Sequence, residues 1–280
     1  MNLNPWADNR GPGWHSIISN YSQPNRRKAI RQLVNTFVPY ISLWILMIYS
    51  VEREYSYWLT LILSVPASLF LVRIFIFFHD CCHSSFFASR RANRVTGYIC
   101  GTLTFTAYDD WRSSHLTHHL TVGDLDRRGT GDVQTMTVDE YLNMPVLQRL
   151  RYRIYRNPIV LFILGPVFLF PVRNRFFRRG TGRAERKSVF VTNLLITAVI
   201  VTIGQTFGYR LYFLIQMPVI FMAGLMGIWL FYIQHQFQGV YWARHEVFRT
   251  VDIRYRNRSR IYRVFICFVI SFPSSPVYIA

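Results

Sequence analysis

The stretch FHDCCHSSFF places His79 and His83 four residues apart, and WRSSHLTHHL places His115, His118 and His119 within one further turn and a half of helix. Positions three and four apart share a helix face, so each group is expected to present its imidazoles toward one point. Imidazole binds zinc, copper, iron and nickel alike, and the residue type therefore does not choose the metal. Five clustered histidines exceed the three or four protein ligands of a typical zinc site and favour more than one ion. Asp80, Asp109 and Asp110 are candidates for orienting the rings through their free N–H groups, the bland alternative being solvated loop or cap residues. Cys81 and Cys82 read as packing residues rather than soft ligands. His15 lies in a polar N-terminal stretch and reads as a solvated surface residue, while His235 and His245 lack a clustered partner in the sequence.

The elements that must position these residues are apolar helices. A bilayer core of ~30 Å needs roughly 20 apolar helical residues, and four segments qualify: about Val34 to Val51, Trp58 to Phe78, Ser188 to Gly204 and Leu211 to Ile233. Two shorter stretches, Val95 to Ala107 and the proline-bearing Pro158 to Val172, read as re-entrant or interfacial. Arg26, Arg27, Lys28 and Arg31 precede the first span, whereas the link VEREYSY after it is acidic, so the N-terminus is expected on the cytoplasmic side. If Pro158 to Val172 crossed, the loop RNRFFRRGTGRAERKS would face outward with its seven basic residues. Treating it as non-crossing returns every basic block, both termini and all histidines except His15 to cytoplasmic span ends. The expected fold is therefore all-α: a polytopic membrane protein of about four transmembrane helices with re-entrant or interfacial helices and a cytoplasmic histidine cap. Arg73 is the one charge within a span and is expected to snorkel or to pair with Asp80.

Composition agrees with that architecture. Hydrophobic residues make up 51% of the chain and aromatics 17%, which is high for a water-soluble globule. The net charge of +18 lies in blocks between apolar segments rather than on one face beside a nucleic-acid motif, which argues against nucleic-acid binding. Four cysteines, Cys81, Cys82, Cys100 and Cys267, are too few and too apolar in setting for a disulfide framework. The start MNLNPWADNRGPGWH lacks the charged and apolar regions of a cleavable secretory signal.

HDCCHSSFF, YDDWRSSHLTHHLTVGDLDRRGTGDVQTMTVDEYL and IQHQFQGVYW, in this order, resemble the membrane-bound fatty acid desaturases, and more closely those of the acyl-lipid type. The resemblance covers about residues 5–243. It implies an oxidoreductase of lipid metabolism with a di-iron centre held by histidine boxes, of which His79 and His83 form the first and His115, His118 and His119 the second. It further implies a lipid acyl chain as substrate, with dioxygen and two electrons from a ferredoxin or a small haem cytochrome. A related di-iron hydroxylase or ketolase shares such boxes, and a catalytically silent remnant would keep part of them. The family carries a third His-x-x-His-His box well after the last span, and nothing after His119 has that form. The expectation is a truncated member spanning residues 1–243, an incomplete metal shell, and a divergent Arg-rich tail over 244–280 read as a shifted frame.

Overall fold

A computed structural model describes residues 23–131, 133–236 and 240–247. His15, Asp132, Cys267 and the expected tail beyond residue 247 lie outside the described residues. Nine α-helices are described: α1 (Arg26–Glu52), α2 (Tyr57–Cys82), α3 (Arg90–Leu103), α4 (Tyr108–Thr121), α5 (Val138–Leu142), α6 (Val146–Arg156), α7 (Gly165–Leu169), α8 (Arg183–Phe207) and α9 (Tyr209–His235). Among the described residues there is no strand, only a parallel bridge between Asp124 and Ala243. The described residues form an all-helical fold, as apolar runs long enough to cross a bilayer require.

Four helices, α1, α2, α8 and α9, are long and apolar enough to cross a membrane. They contain the four expected spans and extend each by several residues. Pro39, Pro66 and Pro218 sit inside α1, α2 and α9, and the Leu214 carbonyl, which Pro218 leaves without its intrahelical N–H, accepts from Tyr57 Oη of α2 at 3.0 Å. Asn25 caps α1 by accepting the Lys28 N–H at 3.1 Å. Gly208 turns α8 into α9 at φ +92°, a conformation that L side chains avoid. The stretch from Pro158 onward forms a wide π-helical turn (Ile159–Leu164) followed by α7, and this unit is bent by 60° from α6. The shorter stretch at Val95 becomes the second half of α3, which ends at Leu103.

Helix α2 is the centre of the bundle, packing on α1, α3, α4 and α9. Leu71, Ile74 and Phe78 of α2 meet Ile215 and Val219 of α9 and Met47 of α1 in the core. Outward-facing Val38, Ile45, Phe190 and Leu194 remain exposed on α1 and α8, an apolar surface that lipid tails would solvate. Arg73 is buried with its guanidinium 5.8 Å from the Phe77 ring, while Asp80 engages His79 instead.

Candidate metal centre

Helix α4 carries Tyr108, Arg112, His115 and His119 at positions i, i+4, i+7 and i+11, a single stripe on a 3.6-residue helix. The first two hold that stripe against the end of α2. Tyr108 Oη donates to the Cys81 carbonyl at 2.8 Å, and Arg112 Nε donates to the Cys82 carbonyl at 2.7 Å. These are carbonyls of the last turn, which lack full intrahelical partners. The second two then face His79 and His83, which end α2.

The outcome is convergence. One ring nitrogen from each of His79, His83, His115 and His119 lies within 4.8 Å of the other three. His115 Nε2 is 3.1 Å from His83 Nε2 and 2.9 Å from His119 Nε2. One Nε2 facing two others cannot satisfy both as donor and acceptor, whereas a cation among the lone pairs satisfies all of them. Metal–nitrogen bonds of about 2.1 Å put opposite ligands near 4.2 Å apart and neighbouring ones near 3 Å, so the four nitrogens fit one ion after small adjustments. Trp111 stacks on the His115 ring at 4.1 Å and meets Phe75 and Phe78 on its other sides, fixing the ring plane.

The electrostatics favour ligation. Burial, reinforced by His79, lowers the His83 pKa to about 4, with Asp80 opposing. Burial and then the neighbouring imidazoles lower His119 to about 3 and push His115 down further still. These rings are neutral at pH 7, the form that binds metal.

His118 does not join this group. Adjacent in sequence to His119, it points to α9, where its Nε2 lies 3.2 Å from His235 Nε2 and its ring meets Phe231. The two clusters are neighbours, with His118 ring centroids 6.1 Å from His115 and 5.9 Å from His119. His235 thus belongs to the candidate site although it has no clustered partner along the chain. Its signal was its place as the last residue of an apolar span, at the same membrane end as the boxes.

The three aspartates divide. Asp80 Oδ1 is 3.1 Å from His79 Nδ1, within reach to orient that ring. The structure does not bring Asp109 or Asp110 to the imidazoles. Asp109 accepts from Tyr98 Oη at 2.9 Å and from Arg94 at 3.0 Å, and its backbone N–H donates to Ser188 Oγ. Asp110 pairs with Arg178. Cys81 and Cys82 are buried in packing. His245 stands apart, 2.7 Å from the buried Asp124 carboxylate.

The family description "Fatty acid desaturase" matches residues 56–270, reaching past Trp242 into the Arg-rich stretch. A fatty acid desaturase of Bacillus subtilis (strain 168) is 44% identical over 229 residues, which are 82% of this chain and 64% of that protein. An endoplasmic-reticulum omega-3 fatty acid desaturase of Vigna radiata var. radiata is 30% identical over 164 residues, 55% of this chain and 40% of its own length. An sn-1 acyl-lipid omega-3 desaturase (ferredoxin) of Nostoc sp. (strain 36) is 32% identical over 96 residues, 33% of this chain and 26% of its own. The chain spans less than two thirds of the length of each of these relatives.

Proposed function

The chain belongs to the fatty acid desaturase family, and from that premise we propose that it is an acyl-lipid desaturase-type oxidoreductase that introduces a double bond into a membrane lipid acyl chain. The observation that carries the reading is the convergence of His79, His83, His115 and His119 at the end of α2, with His118 and His235 beside them. We assign the four-nitrogen cluster to one iron and the His118–His235 pair to a second. Bound iron, with dioxygen and two electrons, supplies the oxidising power to take two hydrogens from an unactivated methylene pair, which no protein side chain can do alone.

The protein's own residues set the conditions for that chemistry. Neutral imidazoles would hold the metal without being oxidised as thiolates would be. Asp80 accepts from His79 Nδ1 and leaves its Nε2 for the metal. Trp111, Phe75 and Phe78 form an aromatic wall beside the His115 ring and keep water from that side. The basic blocks at 26–31 and 173–187 support a four-span fold whose histidine end faces the cytoplasm. An electron donor of the ferredoxin or small haem-cytochrome kind would approach that side. Among the described residues two imidazoles stand at the second position, fewer than the three or four of a typical firm site, so they alone would hold a second iron less firmly than the four-nitrogen cluster holds the first.

Fatty-acid analysis of membranes from a desaturase-deficient host expressing the full chain tests this reading. A new double bond that disappears in H119A is the expected result. A new hydroxyl or keto group would support the related oxygenases instead, and no lipid change with a metal-free protein would refute the assignment.

A further inference from the structure

Helix α6, VLQRLRYRIYR, is amphipathic, carries four arginines and no acid, and buries none of its residues. Val146, Leu147, Leu150 and Ile154 occupy one face and are 75%, 58%, 51% and 53% exposed. On a 3.6-residue helix Arg151 and Arg153 flank this stripe on either side. Some exposed arginines of the cap have a carboxylate close by: Arg94 has Asp109, Arg127 has Asp124, and Arg244 has Asp126 and Glu140. Among the described residues none of Arg149, Arg151, Arg153 and Arg156 forms an ion pair.

The apolar stripe is also continuous with something. After Asn157 the chain bends by 60° into the apolar stretch that begins at Ile159, where Ile159 and Phe168 are 61% and 59% exposed. A helix lying along a bilayer surface, followed by a segment dipping into it, produces such a continuous apolar side with arginines at its edge. A soluble acidic partner would match the guanidinium groups but leave the interleaved Leu150 and Ile154 facing water. The inner edge of α6 is anchored to the site end of the bundle: Arg156 donates to Gln236 Oε1 at 3.2 Å, next to His235.

We propose that α6 is a docking surface for anionic phospholipid headgroups, with Leu150 and Ile154 inserted among the upper acyl carbons and Arg151 and Arg153 on the phosphates. This inference is independent of the reaction, because it concerns headgroup recognition rather than turnover. Each arginine near an anionic surface favours binding by roughly fivefold.

Native mass spectrometry of the purified full chain, titrated with phosphatidylglycerol or phosphatidylcholine bearing identical acyl chains, tests it. Identical chains cancel any binding at an acyl-chain site. The expected result is a several-fold preference for phosphatidylglycerol that falls toward unity in R151Q/R153Q and is retained in R151K/R153K. No preference in the native chain, or a preference that persists in R151Q/R153Q, overturns the proposal. An unchanged lipid preference together with weakened binding of an acidic iron–sulfur ferredoxin would reassign the surface to a protein partner.

Discussion

Gly97 of α3 is the tightest test of how the centre is held. A Cβ built at this position stands 2.2 Å from Tyr108 Cε2 and 2.4 Å from Cδ2. To reach an ordinary contact of about 3.4 Å the Tyr108 ring must withdraw by about 1.2 Å, an overpacking strain of roughly 1–3 kcal/mol. The same movement breaks the 2.8 Å hydrogen bond from Tyr108 Oη to the Cys81 carbonyl. That carbonyl keeps the Ser84 N–H as a second partner at 3.0 Å, so the loss adds only about 0.5–1.5 kcal/mol. Ala gains about 1 kcal/mol over Gly inside a helix, so Gly97→Ala is expected to cost about 1–3 kcal/mol net, and Tyr108→Phe about 0.5–1.5 kcal/mol. Reversible unfolding in mixed micelles, followed by helical circular dichroism, measures both. Because Tyr108 shares its stripe with His115 and His119, G97A should also retain less iron than Y108F. A G97A protein within 0.5 kcal/mol of the parent, or one less affected than Y108F, would refute the clamp.

Iron counted per chain should separate the two clusters: H83A loses the firmly held ion, H118A and H235A lose only the weakly held one, and H245A loses neither. Two firmly bound irons in the native chain would contradict the weak second site. Asp80→Asn should weaken iron binding by roughly 10- to 100-fold through the His79 ring, whereas Asp109→Asn, which acts only through the rotation of α4, should lower stability and weaken iron binding by less than that; equal effects on affinity would sink the distinction. Acid should destabilise the metal-free protein. The His83 pKa is lowered to about 4 and that of His119 to about 3, while unfolded imidazoles take protons near 6.5. Between those values the unfolded state binds more protons, so stability falls as pH drops from about 6.5 toward 4. Unfolding of apoprotein across that window should show the slope, with a shallower one in H83A; a flat profile would rule the burial argument out.

The four spans were legible because each is a long apolar run bounded by charge, and the helices simply extend past the runs by a turn or so. The membrane end of the site was legible for the same reason: His79, His83 and His235 all lie where apolar runs stop. The partners of the individual rings were not. Tyr108 and Arg112 share the stripe of His115 and His119, a periodicity open to reading. What they bind, however, are carbonyls of another helix, and no local pattern encodes those. Asp109 and Asp110 were expected beside the imidazoles because they are near in sequence, yet they lie on other sides of α4, facing α3 and the α8 region. His235 lies 116 residues beyond His119 in the sequence, so only packing of α9 could bring it to His118.

The second box owes its arrangement to a simple angular fact. Residues 115 and 119 differ by about 40° around a helix, but 118 and 119 differ by about 100°, so three histidines in this spacing cannot all aim at one point. Helix α4 is instead a wall between two clusters, with His115 and His119 turned to α2 and His118 turned to α9. A wall serving both sides must be fixed in rotation. At a side-chain radius of about 5–6 Å, a turn of 30° would move each imidazole by roughly 3 Å, as much as the whole separation of the His115 and His119 nitrogens. Any rotation that tightened one cluster would open the other. The polar contacts of the first turn resist such rotation from several directions: Tyr108 and Arg112 bind the end of α2, Asp109 binds Arg94 and Ser188, and Asp110 binds Arg178. The aspartates next to the box thus act on the metal ligands through the azimuth of the helix that carries them.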